Sequence, residues 1–234
     1  MTSVRERVAE SLRWLERTGT KRNRDGMARY GIVSPKAFGV GVAPLRQQAK
    51  RLGADHALAL ALWETGWFEA RMLAVLVDDP AKVTPSQMDR WARDFDNWAI
   101  TDTACFALFD RSPHAWKKIA LWSRRKDEFV RRAGFALLAS VALHDKGAPD
   151  APFRRGLALI EGAATDERNF VKKAVNWALR AIGGRNPALH AAAIEVSQRL
   201  AVSEDATARW VGKDALRAFA SPAMKKRVAR GAKG

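Results

Sequence analysis

The chemistry in this chain starts at "DNWAITDT", residues 96–103, where Trp98 and Asp102 stand four apart. On a helix that spacing is one turn, so an indole and a carboxylate share a face. A carboxylate held in a partly dehydrated cleft can stabilise positive charge that develops during a reaction and can orient a water. Beside it, the indole offers a flat, electron-rich surface for a cation or a base. Asp96 reads as the N-cap of this helix. Asp102 then lies past the first turn, beyond the reach of capping or the helix dipole. Ile100, Ala104, Ala107 and Leu108 form an apolar stripe facing the core, and Trp98, Asp102, Cys105 and Phe109 form the other stripe. The same Asp102 could equally pair with a nearby arginine on a solvated surface.

The rest of the composition narrows the chemistry. One cysteine, Cys105, excludes an internal disulfide and reads as a small core residue, and His56, His114, His144 and His190 show no ligand spacing. No metal site and no cofactor are expected. The "GVGV" at 39–42 lacks the glycine spacing and strand-helix context of a phosphate loop. There are 41 Lys and Arg against 25 Asp and Glu in 234 residues, a formal charge of +16, and the pI of about 10.7 favours a polyanionic partner. Of nine tryptophans, most are expected in the core, with the remainder free to stack on a ligand. No run of apolar residues is long enough to span a membrane, and the amphipathic N-terminus has no signal-like core. A cytoplasmic location is expected, nucleoid-associated when bound to DNA, with no membrane partner.

The elements that must position these groups are helices throughout, because apolar residues recur at three and four and strand signals are nearly absent. "MTSVRERVAESLRWLERTG" reads as one helix, "TKRNRDG" as a basic turn, and "MARYGIVSPKAFGVGVAPLRQQAKRLG" as a short helix, a glycine-rich loop and a helix from near Pro44. Further helices are predicted near 55–65, 67–78, 85–95, 97–110, 114–124, 127–144, 152–163, 168–183, 187–200 and 205–220. Residues 1–225 are expected to form one helical-repeat domain and 226–234 a flexible basic tail.

"FVRRAGFALLASVAL" at 129 superposes on "FVKKAVNWALRAIGG" at 170 with an offset of 41 residues. Val130, Ala133, Gly134, Leu137, Leu138 and Val141 fall on Val171, Ala174, Val175, Ala178, Leu179 and Ile182. "WVGKDALRAFA" at 210 follows after a further 40, and "FEARMLAVLV" at 68 fits the same template. Helix pairs at this period are the signature of HEAT-like repeats, which stack into a curved array. The fold expected is therefore an all-α, HEAT-like helical repeat solenoid, curved with a concave cationic face. Just off the seam, Arg71, Arg132, Lys173 and Lys213 occupy one register and would form a ladder facing solvent or the groove, suited to a phosphate backbone. Lys173, Trp177 and Arg180 share a stripe at the same face; the position of Trp177 in the preceding repeat is Ala136, so the scaffold does not demand a large side chain there.

Several of these segments together resemble one family. "MARYGI" with "FGVGVAPLR", then "FDNWAITDTACFALF", "FVRRAGFALL" and "KKAVNWALR", in that order, are similar to the signatures of the AlkD-type alkylpurine DNA glycosylases over most of the chain. The resemblance implies a monofunctional hydrolase of base excision repair, monomeric and without cofactor, that releases cationic N3- or N7-alkylated purines from duplex DNA. By the match, Asp102 is the catalytic carboxylate, with Trp98 and Trp177 as cleft aromatics. Arg132 is the backbone-binding arginine and Tyr30 lies near the lesion; Arg131, Arg71, Lys172, Lys173, Arg180 and Lys213 complete the DNA-binding set. A monomer acting on double-stranded DNA containing alkylated bases is expected, reading the lesion from the backbone side without full extrusion and tolerating bulky adducts. This chain has Ala99 where the family usually carries an acidic residue after the first tryptophan, and "HDKGAPDAP" adds length to a connection. Two other readings remain open: a relative that binds DNA without excising bases, and a HEAT-like scaffold for a protein or RNA partner.

Overall fold

Amphipathic segments, here of six to seventeen residues, gain their stability by packing apolar face on apolar face, and they do so as successive helix pairs. The computed structural model describes residues 3–231, and among them the regular structure is entirely helical. The chain divides into two compact units, Met1–His114 and Ala115–Gly234, where one domain over 1–225 is the sequence expectation.

The first unit holds α1 (Val4–Thr18), α2 (Lys21–Gly26), a 3-10 turn at Met27–Tyr30, α3 (Val42–Leu52), α4 (His56–Glu64), α5 (Phe68–Val77), α6 (Pro85–Arg93) and α7 (Trp98–Ala107). The starts are written in the sequence: Ser3, Thr20, Asp55 and Thr84 each accept a hydrogen bond from a first-turn amide, and Pro85 opens α6. Each such cap contributes about 1 kcal/mol. "TKRNRDG", expected as a turn, is helical because Thr20 caps it and Lys21 pairs with Asp25 one turn on, at 2.9 Å. The core gathers Leu15, Leu58, Leu62, Leu73 and the stacked rings of Trp63 and Trp91, 4.0 Å apart and nearly parallel.

The second unit holds α8 (Ala115–Trp122), α9 (Glu128–His144), α10 (Asp150–Ala163), α11 (Asn169–Gly183), α12 (Pro187–Ala201), α13 (Ala206–Ala220) and α14 (Pro222–Gly231). All seam residues of α9 and α11 that align across the repeat are buried, and the two helices pack closely on one another. Gly134 is required where α9 meets the end of α8, since a Cβ there would come within 2.4 Å of the Ser123 amide nitrogen. A flexible basic tail is expected from 226. Over its described part the chain instead continues α14 to Gly231, because Val228 is buried on the unit; residues 232–234 lie outside the described residues.

Most tryptophans are expected in the core, yet only Trp63, Trp91 and Trp122 are buried. Trp14, Trp67, Trp98, Trp116 and Trp177 are half-buried and Trp210 is exposed. The indole excess therefore lies largely at surfaces.

Candidate functional site

Helix α7 begins one residue later than its expected cap. Asn97 is the N-cap, its side-chain oxygen accepting from the amides of Ala99 and Ile100 at 3.0 and 3.2 Å. Asp96 acts one step back, accepting from the Asn97 side-chain amide at 2.6 Å and so fixing which way that cap points. This register turns Ile100, Thr101, Ala104 and Cys105 inward. Cys105 and Phe109, expected on the stripe of Trp98, are fully buried, and the open face carries Trp98, Ala99, Asp102, Thr103 and Phe106.

That face walls a cavity of about 520 Å³ with a largely apolar lining. Trp98, Ala99, Asp102 and Thr103 line one side, Phe68 and Met72 of α5 another, and Met27, Tyr30, Val40 and Gly41 a third. The Trp98 indole N–H donates to the backbone carbonyl of Tyr30 at 2.7 Å, which fixes the ring by its edge. The Tyr30 side chain itself is 70% exposed. Arg22 and Arg29 also line the cavity, so the half-buried carboxylate of Asp102 shares it with two guanidinium-bearing side chains.

The third wall depends on a residue that the sequence reading passes over. Glu69 is 0% exposed, and its carboxylate accepts from the amides of Phe38, Gly39 and Val40 at 2.8, 2.7 and 3.1 Å. A buried charge needs such a set of donors. Gly39 has φ +84°, and a Cβ there would lie 2.3 Å from the Thr20 carbonyl oxygen. Its own carbonyl accepts from the Thr20 amide and the Asn23 side chain, both at 3.1 Å, so α2 and the glycine-rich loop are tied together. Phe38 stacks on Trp67 at 4.1 Å. The signal in the sequence was an acidic residue in the first turn of a helix that is apolar but for Arg71.

The proposed cations fall into two groups. Arg71 reaches the carbonyls of Trp63 and Asp94, pairs with the Asp94 carboxylate at 3.5 Å and lies over the Trp63 ring at 5.1 Å. Arg132 departs from the open face expected of it: it is 6% exposed and donates to the Phe170 carbonyl at 2.6 Å. Lys173 and Lys213, in the same register, are exposed. Beside them, Arg131 pairs with Asp166 at 3.2 Å, and Lys172 stands over the Trp210 ring at 5.5 Å. Asp166 is held below the usual carboxylate range chiefly by its hydrogen bond to Arg168, against the opposing effect of burial. Trp177 and Arg180 line a cavity of about 410 Å³ in the second unit. The structure thus brings Tyr30, Trp98 and Asp102 to one cavity and Trp177 and Arg180 to another.

Comparison with known proteins supplies the family. No curated protein matches the sequence. A solved structure described as "a new family of proteins related to the HEAT-like repeat DNA glycosylases with affinity for branched DNA structures" is 20% identical, with a TM-score of 0.77 over 96% of each chain, so the HEAT-like repeat fold is shared. The family model described as DNA alkylation repair enzyme matches residues 12–219. With the helical repeat, the basic surface and the Trp98–Asp102 turn in place, the chain belongs to the DNA alkylation repair enzyme family.

Proposed function

We propose that this protein is a DNA glycosylase that removes cationic N3- or N7-alkylated purines from duplex DNA. The observation that carries the reading is the placing of Trp98 and Asp102 on one open turn of α7, at the wall of a largely apolar cavity, in a chain of this family.

An alkylated purine already bears a positive charge, so it leaves readily once the glycosidic bond stretches. The electron pair of the C1′–N9 bond goes to the purine, which departs neutral, and positive charge moves to the deoxyribose. Asp102 stabilises that charge electrostatically, more strongly in apolar surroundings than in water. A water adds to C1′ and gives up its proton, to Asp102 or to solvent, leaving a free base and an abasic site. Trp98, oriented by its hydrogen bond to Tyr30, presents its ring to the cationic base or sugar for about 0.5–2 kcal/mol. Lys173 and Lys213 contact phosphates, and Arg132 ties α9 to the first turn of α11 in the next repeat. Trp177 stands in the other unit, and its part in the proposal is contact with DNA there.

Incubation with methylated duplex DNA and chromatography of the released base tests this. Wild-type protein is expected to release alkylated purines, and Asp102→Asn to lose about 10²–10³-fold in rate while keeping its DNA affinity. Equal release by the variant removes Asp102 from its role. A second reading, DNA binding without excision, is favoured by Ala99, which adds no charge beside Trp98 at the cavity wall; branched DNA is the form to test, because the related solved structure is described as having affinity for it. DNA binding that prefers a branched over a linear duplex, with no base released by wild-type protein, selects it.

A further inference from the structure

One cavity of the second unit joins Arg180, already on the stripe with Trp177, to a cation that the alignment of repeats does not place. Arg180 of α11 and Arg227 of α14 both line it, with Trp177 and Met224 as apolar walls. At about 410 Å³ it lies in the range of about 300–1,000 Å³ in which small ligands seat. The Nε of Arg180 is buried with no hydrogen-bond partner. Arg227 forms no ion pair with a carboxylate among the described residues, and burial pushes its guanidinium below the usual range. Two further cations stand close by. Arg185 donates to the carbonyls of Ala142, Asp145 and Ala148, while Lys146 is lowered by desolvation and then by the charges of Arg227 and Arg185.

The backbone makes room for this arrangement. A Cβ at Gly184 would lie 3.0 Å from both Cζ and Nε of Arg227, so the bare glycine lets the guanidinium lie flat against the end of α11. Ser221 caps α14, its hydroxyl oxygen accepting from the Met224 amide at 3.3 Å, which fixes the helix that carries Arg227. Like charges gathered in a half-buried cavity are costly unless an anion joins them. Paired guanidinium forks suit the oxygens of a phosphate, and the Trp177 ring is a wall on which a sugar or base can rest.

We propose that the cavity between α11 and α14 is a phosphate site, with Arg180 and Arg227 as its ligands, Gly184 as the seat of Arg227 and Trp177 as the wall for the attached sugar. The phosphate site stands on its own geometry; its assignment to a DNA strand rests on the DNA-binding reading above.

The test uses full-length protein with ¹⁵N-labelled arginine, following side-chain Nε–Hε signals during titration with inorganic phosphate at constant ionic strength. The Arg180 and Arg227 signals are expected to move, and that of exposed Arg154 to stay. Arg227→Gln should weaken phosphate binding about tenfold or more. Gly184→Ala, which displaces the guanidinium without removing it, should do the same in part. In a second arm, a short DNA duplex should compete with phosphate, and Arg227→Gln should reduce the log–log salt slope of DNA binding by about 0.9. No movement of either arginine signal overturns the site. Movement with phosphate but no competition by DNA upholds the site, assigns it to a free phosphate ester and overturns the DNA assignment alone.

Discussion

Arg71 and Arg132 share a repeat register with Lys173 and Lys213 but live in different surroundings. The two arginines are turned into the protein, onto the carbonyls of Trp63 and Asp94 in one case and Phe170 in the other. The two lysines are exposed. A planar guanidinium can satisfy carbonyls at several angles and stack on a ring, whereas an ammonium keeps its water. Identical register therefore yields two roles: cations that join helices and cations that offer charge to a partner. Glu69 is the anionic counterpart of the first class, since its carboxylate is consumed by three amides of the glycine-rich loop.

The division can be broken at its strongest point first. Glu69→Ala strands three amides and is expected to cost about 3 kcal/mol or more, a fall in Tm of about 6–12 °C for a chain of this size by calorimetry; an unchanged Tm would mean the wall is held by something else. Next comes Arg132→Ala, with an expected loss of about 2 kcal/mol in urea unfolding, and Arg71→Ala, with about 1 kcal/mol. Arg132→Lys should recover little, because one ammonium cannot reproduce the fork. The smallest effect on stability belongs to Lys173→Ala and Lys213→Ala, within about 0.5 kcal/mol. Each should lower the log–log salt slope of DNA binding by about 0.9 in fluorescence anisotropy. If the lysines cost as much stability as the arginines, or Arg132→Ala alters only the salt slope, the two classes collapse into one.

Helices were legible in the residues because apolar periodicity and caps such as Thr84 and Asn186 are local. The seam of α9 and α11 was legible for the same reason, position by position. What stayed hidden depends on partners distant in sequence. Glu69 finds its amides about thirty residues upstream, and Arg132 finds Phe170 one repeat on. Neither the amides that donate to Glu69 nor the carbonyl that accepts from Arg132 has a side-chain signature, because both contacts use the backbone. At α7 the adjacent Asp96 and Asn97 are both good caps, and only the packing of Cys105 and Phe109 decides between them. The Trp98–Asp102 spacing was plain; the cavity beside it was not, since Tyr30 and the glycine-rich loop reach it through tertiary structure.

The segment from Gly31 to Gly41 has no helix of its own, yet the amides of Phe38, Gly39 and Val40 near its end are held by a side chain of α5. Its opening is thus not a private motion of a loop. Deuterium from solvent should reach Phe38, Gly39 and Val40 together, at a rate set by release from α5, so that one flank of the cavity comes and goes as a cooperative unit.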